Sequence, residues 1–188
     1  MQSKRALTIL LMAGMAVAAH AGPVFQVLPG GTVGDFPGTT VGWGFTITNT
    51  TDYLVVTGSQ FSPAPFAFFG SYQDLIGTGP LIVLGPSPEP QTLTELFNLS
   101  LGTGVGAFHI AATAAGRLDG QLIVDYALFS VDPNDPNFDP DTDLLVADAQ
   151  LSAPVSVFAT PEPASLLLIA PGLFAMFRLR RKRLPVRS

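Results

Sequence analysis

No long helical repeat of apolar residues runs through residues 22–160 of this 188-residue chain. The apolar runs are short, and glycine, proline, aspartate and asparagine interrupt them, as is typical of turns. Trp43, Phe45 and Ile47 alternate with glycine and threonine, and this period of two indicates a half-buried strand. The central part of the chain is therefore expected to consist of strands joined by turns.

Seven or eight such strands are predicted. Besides the strand at Trp43, they cover residues 53–57, 81–84, 108–112, 121–131, 144–146 and 155–159. The run 121–131 is apolar on both faces apart from Asp125, which favours a central strand, whereas residues 92–101 could form a helix or a strand. Many short strands without a fixed repeat predict an all-β fold, an antiparallel β-sandwich.

Residues 1–21 have the three regions of a secretory signal peptide. Lys4 and Arg5 form the positive start, residues 6–18 are uncharged and mostly apolar, and Ala19 and Ala21 occupy the small-residue positions of an A-x-A cleavage site. The apolar run is too short for a comfortable membrane span, which favours a cleaved signal over an anchor. The mature chain is therefore expected to begin at Gly22.

Residues 161–188 contain three features in a fixed order. Pro161-Glu162-Pro163 comes first, and residues 164–177 follow without a charge. A basic cluster comes next: Arg178, Arg180, Arg181, Lys182 and Arg183. The uncharged run is shorter than the roughly 20 residues of a relaxed span, but snorkelling arginines extend its reach. Because basic residues stay in the cytoplasm, the tail predicts a transmembrane helix that leaves residues 22–160 outside the inner membrane.

This tail resembles the PEP-CTERM sorting signal of Gram-negative bacteria, in which a Pro-Glu-Pro motif precedes a short membrane helix and an arginine-rich end. The resemblance covers residues 161–183 in motif, order and position. It implies that Pro161, Glu162 and Pro163 are recognised by an exosortase, a membrane-embedded sorting protease, in a biofilm- or exopolysaccharide-producing cell. A second Pro-Glu-Pro, at residues 88–90, precedes neither an apolar run nor a basic cluster and is expected to be inert.

The charges of residues 22–160 limit the partners of this part of the chain. It holds one basic residue, Arg117, and thirteen of the fourteen acidic residues, which gives a formal charge of −12. Such a domain repels phosphate backbones, so nucleic acid is excluded as a partner, and cations are attracted. The chain contains no cysteine, which excludes disulfides, thiolate catalysis and cysteine zinc sites.

Few residues of the central part suggest catalysis. His109 stands between alternating apolar residues and is expected on the opposite face of a strand from Phe108 and Ile110. Residues 102–107 fit the pattern G-x-G-x-x-A, but their flanks read as strands, so a glycine-rich turn is expected there instead of a dinucleotide site. No catalytic residues and no organic cofactor are therefore predicted.

An acidic loop is the sharpest candidate for a binding site. Five aspartates lie within residues 132–143, and Asp139, Asp141 and Asp143 stand at alternate positions. Calcium takes six to eight oxygen ligands, which such a loop could supply in part. No glycine or closing glutamate follows in the positions of an EF-hand, and a solvated loop explains the sequence as well.

The sequence thus predicts a signal peptide (1–21), an exported β-domain (22–160) and a sorting tail (161–188). The expected function is that of a non-enzymatic surface or extracellular-matrix protein, whose partners are the export machinery, an exosortase and the inner membrane. Two alternatives remain open. The domain could be a carbohydrate-binding or calcium-dependent adhesin module, for which an aromatic-rich run is suggestive: Phe61, Phe66, Phe68, Phe69 and Tyr72. It could also be an exported hydrolase that uses a pair of carboxylates.

Overall fold

The computed structural model describes residues 22–62, 66–86 and 91–160. The predicted signal peptide, the sorting tail and the second Pro-Glu-Pro lie outside the described residues. The regular structure within these ranges consists of ten β-strands. They are β1 Val24–Leu28, β2 Thr32–Asp35, β3 Thr40–Asn49, β4 Tyr53–Ser62, β5 Gly70–Asp74, β6 Ile82–Leu84, β7 Gln91–Glu95, β8 Gly106–Ile110, β9 Gly116–Phe129 and β10 Leu144–Ala159. In this part of the chain, no helix has the length and apolarity needed to cross a membrane.

The strands form two five-stranded sheets. In the first sheet, β3 pairs with β8 through its first half and with β1 and β7 through its second half, and β5 pairs with β8. The second sheet has the order β2-β10-β9-β4-β6.

Strand direction departs from the prediction at one pair. The all-β class is confirmed, and every pair of named strands is antiparallel except β2 with β10, which is parallel. The prediction of a purely antiparallel sandwich is therefore wrong at this pair. Residue alternation indicates which face of a strand is buried, but it carries no information about direction relative to a partner that is distant in the chain.

The two sheets share one apolar core. Trp43, Phe45 and Ile47 of β3 have no exposed surface, as their period of two predicts. Leu122 and Val124, from β9 in the opposite sheet, belong to the same cluster and are also fully buried. β9 lies in the middle of its sheet, so the prediction of a central strand is confirmed.

The sandwich has two ends of different composition. At one end, the backbone N–H of Gly38 donates to the oxygen of Ile110, that of Ala111 donates to the oxygen of Phe69, and that of Thr160 donates to the oxygen of Asp35, each at 2.9 Å. We call this the tail-side end; it comprises the loops 36–39, 66–69 and 111–115 together with Thr160.

The opposite end is the far end. It comprises the turns 50–52 and 85–86 and the loop 130–143. Its position follows from the pairing of Tyr53 with Phe129 and from a hydrogen bond between Asn49 and Leu84. Five of the domain's aspartates lie in the loop 130–143 and a sixth, Asp52, lies in a turn of the same end, whereas the three loops of the tail-side end carry no charged residue.

Candidate functional site

The acidic loop at the far end is built from repeated Asp-Pro turns. Asp132, Asp135 and Asp139 each precede a proline, and the Oδ1 atom of each accepts a hydrogen bond from the backbone N–H two residues later, at 2.8, 2.8 and 3.0 Å. Phe138 anchors the loop to the end of β9, since its ring packs edge-on against that of Phe129 with 5.1 Å between centroids. The loop is therefore stiffened by its own side chains.

These contacts bear on the calcium prediction. Asp139 accepts the N–H of Asp141, and Asp143 accepts the N–H of Asp139 at 2.9 Å, so two of the three predicted ligands hold backbone groups. Within the described ranges, no three histidine, aspartate or glutamate side chains are grouped to hold a metal ion. Calcium binding by Asp139, Asp141 and Asp143 stays a prediction.

A groove of about 770 Å3 lies where β2 and β10 of the second sheet approach β3 of the first. Two phenylalanines form part of its wall by lying over glycines. A Cβ on Gly42 would lie 2.5 Å from Cδ2 of Phe97, and a Cβ on Gly34 would lie 2.5 Å from Cγ of Phe158, distances that real Cβ atoms do not show. The absence of a side chain at these two positions is what allows the rings to line the groove.

The chemistry of this groove is apolar. Its lining contains no charged residue, and its only side-chain hydroxyls are those of Thr32 and Thr40; the other residues are Leu28, Pro29, Val33, Gly34, Val41, Gly42, Gly44, Leu96, Phe97 and Phe158. General acid–base chemistry needs a titratable group within hydrogen-bond reach of the reacting atoms. The lining offers none, so the groove is suited to apolar contact and not to proton transfer.

A polar cluster joins the two sheets elsewhere. Ser59 lies on β4, and its Oγ is 2.6 Å from Oδ1 of Asp74 and 2.7 Å from the hydroxyl of Tyr72, both on β5. The backbone oxygen of Val105 lies 2.7 Å from the same Oγ. Asp74 in turn accepts the backbone N–H of Ile76 at 2.9 Å. The cluster contains a hydroxyl and a carboxylate, as some hydrolases do, but neither faces the groove.

The electrostatics of this cluster point to a structural role. Burial raises the pKa of the Tyr72 hydroxyl above its ordinary value of 10.0, and the Asp74 carboxylate raises it further, although the hydrogen bond with Ser59 opposes both. Tyr72 is therefore a neutral hydroxyl at physiological pH and cannot act as a base. Nucleophilic catalysis by Ser59 would need a base beside it. The carboxylate of Asp74 lies 2.6 Å from the Ser59 hydroxyl, but its two oxygens also accept the backbone N–H groups of Ile76 and Gly77.

His109 and the glycine-rich loop take the places that the sequence predicts. His109 is exposed on β8, opposite the buried Phe108 and Ile110, and its Nδ1 lies 3.2 Å from the hydroxyl of Thr40. The loop turns through Gly102 and Gly104, which both have positive φ, and leads into β8. Both features are thus accounted for by the fold.

The aromatic-rich run is divided between core and surface. Phe61 contacts Phe66 edge-on with 5.2 Å between ring centroids, and Phe66 and Phe69 both contact Phe108. Tyr72 packs against the same cluster, whereas Phe68 is 96% exposed and stands apart from it. Sugar recognition by stacked rings needs aromatic faces that are open to solvent, and in this run only Phe68 offers one.

Arg117 is the only basic residue in residues 22–160, and it pairs with Asp119. Its Nε lies 2.6 Å from Oδ1 of Asp119, and the hydroxyl of Ser156 donates to the same oxygen at 2.7 Å. The hydrogen bond from Ser156, followed by that from Arg117, lowers the pKa of the Asp119 carboxyl. The two side chains of the pair are exposed to solvent, so the pair contributes little to stability.

Comparison with known proteins identifies no relative from which a function could be carried over. No family model matches the chain, and no curated protein matches it. One solved structure with some similarity in backbone path is that of WR4, an MSP family member of C. elegans. The identity is 12% over 72% of this chain and 97% of that one, and the TM-score is 0.33. Another is AvmM, which catalyses macrocyclization in alchivemycin A biosynthesis, at 12% identity over 77% of this chain and 92% of that one, with a TM-score of 0.26.

The residues with the most specific sequence pattern lie outside the described residues. They are the cleavage positions Ala19 and Ala21, the motif Pro161-Glu162-Pro163 and the basic cluster from Arg178 to Arg183. The described residues show where the tail leaves the domain. β10 ends at Ala159, and the backbone N–H of Thr160 donates a hydrogen bond to the backbone oxygen of Asp35 at the tail-side end.

Proposed function

We propose that this chain is an exported surface or extracellular-matrix protein, which its C-terminal tail retains in the inner membrane until an exosortase acts on it. The observation that carries the proposal is the order of three features in residues 161–183: Pro-Glu-Pro, an uncharged apolar run and a basic cluster. The signal-peptide pattern of residues 1–21 supports it, because a sorting tail is useful only to a chain that has been exported.

The chemistry of the central domain supports a display role over a catalytic one. The groove is apolar and lacks a titratable group, and the Ser59 cluster is occupied by contacts between the sheets. The strong negative charge favours solubility outside the cell. In this proposal, the β-domain is the displayed part, and the export machinery, the exosortase and extracellular polysaccharide are its partners.

The test compares the mass of the mature protein in a host that has an exosortase with its mass in the same host lacking the enzyme. We expect an exosortase-dependent loss of mass that disappears when Pro161, Glu162 and Pro163 are all changed to alanine. The matched control changes Pro88, Glu89 and Pro90 to alanine, and it should be processed like the natural chain. A mass that is identical in all hosts, with residues 164–183 retained, would refute sorting and leave only an anchor.

A further inference from the structure

The tail-side end of the sandwich presents exposed aromatic and small residues at the place where the chain leaves the domain. Phe68 is 96% exposed and Phe36 is 43% exposed. Ala67, Ala112 and Ala115 are exposed in the same set of loops. An isolated exposed phenylalanine needs no explanation, but Phe36 and Phe68 lie in two uncharged loops at the same end of the sandwich, and exposed apolar surface concentrated in this way marks interaction sites.

The charge distribution separates this end from its opposite. Residues 36–39, 66–69 and 111–115 contain no charged side chain; in the sequence, Asp35 and Arg117 flank these loops, and Glu162 follows Thr160 by two residues. The acidic loop with its five aspartates lies at the far end, at the opposite end of β9 and β10. A domain with this polarity has one end that can approach a low-dielectric surface and another that must remain in water.

The identity of the occupant follows from where the chain continues. A backbone hydrogen bond to Asp35 holds Thr160 at the tail-side end. Only three residues separate Thr160 from the uncharged run that begins at Ala164. Three extended residues span at most about 10 Å. If that run enters a bilayer, the exposed phenylalanines are held at the lipid interface.

We propose that the tail-side end docks on the surface of a lipid bilayer, with Phe36 and Phe68 inserted among the headgroups and the acidic loop directed away from the membrane. The inference rests on the proposed function, since it requires the tail to be in the membrane. The lipid it fits is electrically neutral at its surface, because a domain of net negative charge is repelled by anionic headgroups. Apolar groups that bind at a membrane interface are buried about 5–10 Å into the boundary between headgroups and acyl chains.

The experiment uses the chain without its predicted leader, residues 22–188, in phosphatidylcholine vesicles. The chain has no cysteine, so single cysteines can carry an environment-sensitive fluorophore. One label replaces Ala67 beside Phe68, a second replaces Asn137 in the acidic loop, and a third replaces Ala170 in the tail. Quenchers attached to lipid and quenchers dissolved in water then report the surroundings of each label.

We expect the labels at 67 and 170 to be quenched from the lipid and the label at 137 to be quenched only from water. In the double variant Phe36→Ser, Phe68→Ser, the label at 67 should be quenched from water, while the label at 170 should still be quenched from the lipid. The control double variant, Leu144→Ser with Leu145→Ser, removes two exposed apolar side chains, 41% and 52% exposed, from the start of β10 and should have no effect. Unchanged circular dichroism would verify that both double variants are folded.

The outcomes separate the two proposals. If label 170 contacts lipid but label 67 is quenched from water, docking is refuted and the membrane tail stands. If no label contacts lipid, the tail does not span the membrane and both proposals fail. If label 67 is shielded from both quenchers, more so at higher protein-to-lipid ratio, the patch is covered by a second copy of the chain, and lipid docking is again refuted.

Discussion

The Nδ2 atom of Asn49 lies 2.8 Å from the backbone oxygen of Leu84, and this bond ties the turn that follows β3 to the end of β6 in the opposite sheet. The same amide donates to the oxygen of Asp52 at 2.7 Å, and Oδ1 of Asn49 accepts the N–H of Thr51 at 3.2 Å. Asn49 has no exposed surface, so the chain passes from one sheet to the other around a fully satisfied polar side chain.

Replacement of Asn49 by alanine should lower the free energy of unfolding by about 2–3 kcal/mol, because buried backbone oxygens lose their donors. The measurement is chemical denaturation of the full chain in mild detergent, followed through the fluorescence of the single, buried Trp43. Asn98→Ala is the matched control. Asn98 makes the same type of turn with Ser100 but is exposed, so its loss should cost less than about 1 kcal/mol. Equal losses at both positions would contradict the role of Asn49 between the sheets.

Ser59→Ala should destabilise the protein more than Tyr72→Phe. Ser59 lies within hydrogen-bond distance of three partners, whereas Tyr72→Phe leaves the bond between Ser59 and Asp74 in place. Losses of about 2 and about 1 kcal/mol are expected from the same denaturation experiment. The reverse order would show that the Tyr72 hydroxyl, and not Ser59, holds the sheets together.

The raised pKa of Tyr72 also predicts a loss of stability in alkali. A group whose pKa is higher in the folded state contributes stability that is fully present below its unfolded pKa, here 10.0, and is lost as the pH rises above that value. In Tyr72→Phe, the decline of unfolding free energy above pH 10.0 should be shallower than in the natural protein. Parallel curves for the two proteins would contradict the shift.

The pKa of Asp119 should rise when Ser156 is replaced by alanine. The Ser156 hydroxyl is the largest cause of the lowered value, and Arg117 is the next. Because the folded pKa is lower than the unfolded one, this carboxylate stabilises the protein above its ordinary value of 3.8, and the contribution is lost as the pH falls through the folded pKa. A carboxyl titration by NMR measures the shift, and Arg117→Gln should also raise the pKa of Asp119, because Arg117 lowers it through both its hydrogen bond and its charge.

Asp148→Gly should stabilise the protein. Asp148 has a φ of 50°, in the left-handed region, and lies where the register between β9 and β10 shifts. Glycine adopts this conformation without steric strain, so a gain of up to about 1 kcal/mol is expected in thermal unfolding. Asp148→Val is the opposite control, because a β-branched residue fits this region poorly and should lower the melting temperature.

Residue alternation predicts strands wherever one face is buried. Trp43, Phe45 and Ile47 identify β3 because the residues between them point to the opposite face of the strand. On that face, the hydroxyl of Thr46 lies 3.0 Å from the hydroxyl of Thr94 on β7. The same rule fails for β5, whose sequence Gly-Ser-Tyr-Gln-Asp has no apolar alternation. That strand exists because β8 offers it a partner, and pairing between distant segments leaves no local pattern.

Proline misled the prediction in β10. The sequence suggested two strands, at 144–146 and 155–159, but one strand runs from Leu144 to Ala159 through Pro154. A strand tolerates proline where one of its edges is free, and β2 pairs with β10 only from Ser156 onward. Pro154 therefore lies in a stretch that has β9 as its one neighbour, which the sequence cannot reveal.

The groove was also beyond prediction. Gly34, Gly42 and Phe97 belong to three separate segments, and nothing in their local sequence indicates that rings will lie over the two glycines. The acidic loop was predicted as a loop because its residues are close in the chain. Sites that are contiguous in sequence can be recognised in advance, whereas those assembled by sheet packing cannot.

Val24 pairs with Thr48 beside the far end, whereas Thr160 leaves the domain at the tail-side end, so the two termini of the domain point in opposite directions. The ten residues of β3 between these ends span roughly 30 Å, which is about the thickness of a bilayer's hydrocarbon layer. If the tail spans the bilayer as proposed, the folded domain carries Gly22 far above the membrane, beyond the reach of a leader that is still inserted. Under that proposal the order of events in time is fixed, because leader removal has to precede the pairing of β1 with β3.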